Sequence, residues 1–203
     1  MTSIETPTRQ VPSLASDHID TLGPSLTALR RQAAHLGEWG ELLAGRLHGG
    51  ARLLVAGNGG SAAEAQHLTA ELVGRFQDDR PAFSALALSA ETSSLTAIGN
   101  DYGFDEVFAR QVRAHARPGD IVLLLSTSGA SENLISAAAA AHWCGALVWA
   151  MTGPLPNPLA AAVDDVITVD GASAHVQECE LVAIHALCRV FDSAIDRLWG
   201  TAP

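Results

Sequence analysis

The stretch "VAGNGGSAAEAQHLTAEL", Val55 to Leu72, carries an apolar run into a glycine-rich turn and then along a helical pattern. Read outward, the run becomes the buried strand "RLLVAG" and the later residues the helix "SAAEAQHLTAELVGRF". Gly57, Gly59 and Gly60 let the backbone pass close to a ligand, and Ser61 is expected to cap the helix. His67 and Glu71 stand one helical turn apart and share a face. That spacing suits two metal ligands, an acid–base pair, or simply a polar pair facing solvent.

The same alternation continues along the chain. "FSALALS", "DIVLLLS", "ALVWAMTG" and "DVITVD" read as further strands, and helical patterns separate them. "SENLISAAAAAHWC" is a helix capped at Ser131, a short helix is expected around Leu159, and Gln177 to Leu198 is the last helix. A helix over about Pro24 to Leu47 precedes the first strand, and "HGG" stops it. Residues 1–22, rich in Ser, Thr and Pro, are expected to be a flexible arm, and 23–203 a single domain. Apolar strands alternating with helices predict a parallel sheet covered on both faces. Ligands of such sheets sit beyond the carboxyl ends of the strands, near a switch point. The turns after the first and third strands, "GNGGS" and "STSGAS", both fall there.

Bulk properties narrow the chemistry. The 203-residue chain has a formal net charge of −10, which argues against nucleic acid as a partner. All twelve basic residues are Arg, so no lysine is available for a Schiff base or a phosphate loop. An anion must then be held by backbone N–H groups, hydroxyls or Arg. "LLLSTSGAS" supplies Ser126, Thr127, Ser128 and Ser131 at a helix N-terminus, where free N–H groups and the helix dipole attract phosphate. A Ser/Thr capping turn is the plain alternative. Cys144, Cys179 and Cys188 lack paired spacing, which suits a reduced interior. Neither a signal peptide nor a membrane-length apolar run is present, so a cytoplasmic location is expected.

Two further segments carry polar residues in apolar company. "HVQECELVAIHALC" holds Gln177 and His185, eight residues and about 12 Å apart on an ideal helix. For both to serve one ion they must lean together, the helix must begin after Gln177, or different subunits must contribute. "IGNDYGFDEVFARQV" puts Asn100 and Asp101 before an aromatic-glycine turn, by itself a common turn signature.

Taken together, "AGNGGSAAEAQHLTAEL", "IGNDYGFDEVFARQV", "GDIVLLLSTSGAS" and "QECELVAIH" resemble the sugar isomerase (SIS) family, and within it the phosphoheptose isomerases. The resemblance runs in family order from about Pro24 to the last helix. It implies a three-layer fold, a five-stranded parallel sheet flanked by helices, with an N-terminal helix. It implies isomerisation of sedoheptulose 7-phosphate to D-glycero-D-manno-heptose 7-phosphate through an enediol, the first step toward activated heptose. By position, Ser126, Thr127, Ser128 and Ser131 would bind the phosphate, and Asn58, Gly59, Gly60, Ser61, Asn100 and Asp101 the sugar. His67, Glu71, Gln177 and His185 would hold one zinc ion per subunit. Glu71 and His185 match the family's acid–base pair, and Glu71 and Gln177 would also touch substrate. A homotetramer with sites at subunit interfaces is implied as well.

The chain departs from the family near its last helix. Ala174 and His175 replace a frequent acidic–Arg pair, and Glu180 stands where His is common. These changes bear on sugar contacts or subunit packing more than on the reaction. Two alternatives remain open from sequence. One is a non-catalytic SIS tetramer that binds a phosphosugar or a replication-initiator protein. The other is an isomerase of a different ketose phosphate.

Overall fold

The computed structural model describes residues 11–200 of the chain. Helices α1 (Val11–Arg30) and α2 (Ala33–His48) come first. Then follow β1 (Leu53–Gly57), α3 (Gly60–Val73), β2 (Ala85–Ala87), α4 (Thr92–Tyr102), α5 (Ala109–His115), β3 (Ile121–Ser126), α6 (Glu132–Trp143), β4 (Leu147–Thr152), β5 (Asp165–Thr168) and α7 (Ser173–Gly200). The five strands form one parallel sheet in the order β2-β1-β3-β4-β5.

Period-2 alternation explains how one apolar strand serves two layers. In β3, Ile121, Leu123 and Leu125 face a core shared with α2, α3 and α7. Val122 and Leu124 face the other core, shared with α5 and α6. Each fully buried Leu or Val contributes about 1.5–3 kcal/mol relative to exposure, which is why these strands carry no polar face. Trp39 of α2 stacks on Trp149 of β4 with ring centroids 4.4 Å apart. The indole N–H of Trp39 donates to Asp165 at 2.8 Å and ties α2 to β5.

Some local expectations need correction. The helix expected over Pro24 to Leu47 divides at Arg31 and Gln32 into α1 and α2, and α1 starts by Val11, so residues 11–22 are helical. Pro24 is inside that helix, and the hydroxyl of Ser25 beside it donates to Asp170 O at 2.7 Å. Tertiary contacts of this kind outweigh the low helix propensity of the segment. Residues 1–10 of the expected arm lie outside the described residues. The helix expected around Leu159 is a single 3-10 turn, Ala160–Ala162. Asn100 and Asp101 lie in the last turn of α4, which ends at Gly103, not in a loop.

Candidate active site

Strand order explains why the two polar turns meet. From β1 the chain crosses to β2 on one side and later to β3 on the other, so the switch point lies between β1 and β3. Gly57, the last residue of β1, pairs with Leu125, next to the last residue of β3. The turns therefore leave the sheet side by side. Asn58 and Asn133 lock them together with two reciprocal amide bonds of 2.9 Å.

The first turn needs its glycines for two separate reasons. A Cβ on Gly57 would lie 2.6 Å from the backbone of Ser61. Gly59 has φ +56°, a left-handed conformation that most side chains avoid. Gly59, not Ser61, occupies the cap position of α3. The Ser61 hydroxyl instead donates to Glu180 Oε2 of α7 at 2.9 Å, a long-range bond that local pattern cannot reveal.

In the second turn the Ser126 hydroxyl accepts from Gly129 N at 3.1 Å, and the Ser128 hydroxyl from Ala130 N at 3.3 Å. Ser131 stands at the cap position of α6 without making a side-chain cap bond, so its hydroxyl is not committed to the helix. Ser126 is buried, Thr127 and Ser131 are half-buried, and Ser128 is exposed. Hydroxyls graded in depth at a helix start form a cradle for an anion.

Glu180 joins the two turns from behind. It is 1% exposed, accepts from Ser61 and from the backbone of Ser126, and leaves Oε1 without a partner. Burial pushes its carboxyl up to about 8, against the lowering effect of the Ser61 bond and with Glu64 adding to the rise. Its place under both turns was not legible in the sequence, where only its departure from the family pattern marked it.

Helices α3 and α7 run side by side in the same direction, and their pairings form a ladder. Gln177 lies against Gly60, Ser61 bonds Glu180, and His67 meets His185. His67 Nε2 is 2.9 Å from His185 Nε2 and 3.2 Å from Glu71 Oε1. These three side chains are partly exposed and bring one ligand atom each into a common space. Tetrahedral zinc with bonds of about 2.1 Å spaces its ligand atoms about 3.4 Å apart, so the His67–Glu71–His185 set fits such an ion with a position open for substrate. The Phe76 ring, 5.5 Å from that of His185, forms one wall.

Gln177 does not join that group within one chain. Because α7 begins at Ser173, the eight residues from Gln177 to His185 are continuous helix, about 12 Å along the axis. A late helix start is thereby removed from the sequence alternatives. Asn100 and Asp101 are exposed at the end of α4 and bond to each other at 2.8 Å. Among the described residues no side-chain hydrogen bond links them to either turn.

Arg80 braces the ladder. Its side chain is 4% exposed and donates to Asp192 of α7 at 2.7 Å. It also donates to the Glu71 and Leu72 carbonyls at the end of α3. Its guanidinium lies over the Phe83 and Phe191 rings, 5.5 and 5.3 Å from their centroids. One residue thus satisfies the helix end and fixes the helix that carries Glu71.

A cavity of about 550 Å³ lies at the other end of the sheet, lined by Arg46, Arg52, Arg117 and Asp120 among others. There the Asp120 carboxylate accepts from Arg52 and from the Arg117 backbone.

Known proteins share this fold. A phosphoheptose isomerase of Streptomyces coelicolor is 62% identical over 89% of this chain and 78% of its own. The solved phosphoheptose isomerase of Neisseria gonorrhoeae superposes with a TM-score of 0.83 at 37% identity, covering 91% of this chain and all of that one. That of Francisella tularensis gives 0.83 at 30% identity, covering 92% and 100%. The family described as SIS domain matches residues 17–153. With that match, and with the parallel sheet and paired turns described above, the chain belongs to the SIS domain family.

Proposed function

We propose that this chain is an aldose–ketose isomerase that converts sedoheptulose 7-phosphate to D-glycero-D-manno-heptose 7-phosphate. The observation that carries the reading is the meeting of Glu71, His67 and His185 on the same helix pair whose Gly60 end adjoins the anion cradle. His67 is seven residues from Gly60, about 10 Å along α3, a separation on the scale of an extended sugar phosphate. The identity to proteins named phosphoheptose isomerase selects the seven-carbon substrate.

Moving a carbonyl from C2 to C1 requires removing a proton from C1 and returning one to C2. Glu71 has two carboxylate oxygens. Oε1 faces His67, which leaves Oε2 to take the carbon-bound proton. His185 serves the neighbouring oxygen, whose proton must move as the enediol forms and collapses. Ser126, Thr127, Ser128 and Ser131 hold the phosphate, while Asn58, Gly59, Gly60, Ser61, Asn100, Asp101 and Gln177 line the path of the sugar. His67, Glu71 and His185 would hold one zinc ion, and Gln177 of a neighbouring chain would be a further ligand at that site. Zinc, when bound there, polarises the carbonyl and stabilises the developing oxyanion.

Gln177, Asn100 and Asp101 stand apart from Glu71 in a single chain, so the complete site forms where chains meet, in a homotetramer. Apolar side chains exposed on α1 and α7 support such an assembly: Leu14, Ile19, Leu26 and Val182 are each at least 37% exposed. Among the described residues no helix is long and apolar enough to cross a membrane, and a biosynthetic isomerase of this kind works in the cytoplasm.

The test is conversion of sedoheptulose 7-phosphate to an aldose phosphate by the purified chain, run beside other ketose phosphates. Glu71→Gln and His185→Ala should each lower turnover by about 10²–10⁴ with unchanged circular dichroism. Parent-like turnover in both variants would refute the catalytic assignment.

A further inference from the structure

A second group of ligating side chains lies away from the one just described. His18 projects from α1, and His175 and Glu178 from the first turns of α7; one ligand atom from each falls within 4.8 Å of the others. His18 Nε2 is 2.7 Å from Glu178 Oε1, and His175 Nδ1 is 3.0 Å from Glu178 Oε2. The two imidazoles tilt toward each other with centroids 4.7 Å apart. We propose that His18, His175 and Glu178 form a second divalent-cation site, of the zinc or cobalt class, that clips α1 to the start of α7.

The hydrogen bonding behind the cluster sets the tautomer. The Thr21 hydroxyl donates within its own helix, to Asp17 O at 2.7 Å and His18 O at 3.1 Å. Its lone pairs are then left for the Nε2–H of His175, 3.0 Å away. A neutral His175 protonated at Nε2 aims the lone pair of Nδ1 at the Glu178 carboxylate. Two acceptors 3.0 Å apart repel unless a cation lies between them. A proton can fill that place, and so can a metal ion, for which an imidazole oriented by a partner on its other nitrogen is the usual ligand.

The rest of the cluster suits the metal. His175 is buried at 9% side-chain exposure and offers a fixed ligand, whereas His18 and Glu178, at 47% and 39%, leave room for water. Two imidazoles and one carboxylate are a set common to zinc and to other first-row ions. His175 and His185 are ten residues apart on continuous helix, about 15 Å, so this site is separate from the His67–Glu71–His185 group. An ion there would join segments 160 residues apart in sequence and steady the end of α7 from which Gln177 projects.

The full chain, stripped of metal with a chelator, is titrated with cobalt(II), and bound metal is counted by mass spectrometry. The variant His67→Ala/His185→Ala silences the other group. That variant should still take up about one cobalt per chain, with the visible absorption of a protein-bound ion, and the added change His18→Ala or Glu178→Gln should abolish it. In the parent background, His18→Ala should lower the count by about one and reduce the rise in Tm that metal produces. The proposal is overturned if the silenced variant binds no cobalt, or if its binding survives both His18→Ala and Glu178→Gln. Should the silenced variant not fold, equal cobalt counts for the parent and its His18→Ala form overturn it equally. No outcome depends on isomerase activity, so failure here is distinct from failure of the catalytic reading.

Discussion

Glu180 shows how one buried carboxyl can join two turns. It accepts from Ser61 and from the Ser126 backbone, and so couples the end of β3 to the first residues of α3. Its folded pKa, about 8, is above the ordinary carboxyl value. Between those two values the folded chain keeps a proton that the unfolded chain has released. Stability therefore falls as pH rises through that window and levels off above it. Urea midpoints measured from about pH 5 to about pH 9 should show this decline, and Glu180→Gln should flatten it. A midpoint independent of pH in the parent would contradict the buried, proton-holding environment. Gly57 makes a second residue-scale prediction. Its missing Cβ leaves space for the Ser61 backbone at 2.6 Å, so Gly57→Ala should cost about 1–3 kcal/mol through forced backbone movement, read as a lower Tm.

Among the elements, the pair α3 and α7 carries His67, Glu71 and His185 of the proposed site. Parallel packing gives each pairing its own height, from Gln177 beside Gly60 to His185 beside His67. Arg80 ends that ladder by bonding the last carbonyls of α3 and Asp192 of α7 at once. Removing it strands the partly buried Asp192 and frees the turn that bears Glu71. Arg80→Ala should therefore cost about 3–5 kcal/mol of stability in a urea titration. Arg80→Lys should recover only part of that, because one ammonium cannot fork to two carbonyls and a carboxylate. A variant as stable as the parent would show that α3 is held by its apolar face alone. The identity of α3 as a helix, and the facing of His67 and Glu71 on it, could be read from the sequence because spacing within one helix is local. Its neighbours across the groove could not, since Phe76 meets His185, and Arg80 meets Asp192, only through the fold.

At the scale of the whole molecule, one chain brings His67, Glu71 and His185 together but leaves Gln177, Asn100 and Asp101 apart from them. The interface reading predicts complementation. Chains carrying Gln177→Ala, mixed and reassembled with chains carrying His67→Ala, should regain a measurable fraction of the parent's activity if a site draws residues from both. Mixtures no more active than the separate variants would place the complete site within a single chain. Mixed species should form only when apolar residues such as Leu14, Ile19 and Leu26 of α1 find a partner, which mass photometry can follow.

Sequence alone determined what depends on near neighbours: strand and helix alternation, the parallel sheet, the two polar turns after the first and third strands and the His67–Glu71 helix face. These follow from period-2 and period-3.6 burial and from the order of elements along the chain, which sequence carries directly. Where α1 begins, what Ser61 bonds, why Glu180 is buried and which histidines approach one another were decided only in three dimensions. Each of those depends on groups far apart in the chain. Their meeting is set by helix crossing and side-chain reach, and no local pattern of residues encodes it.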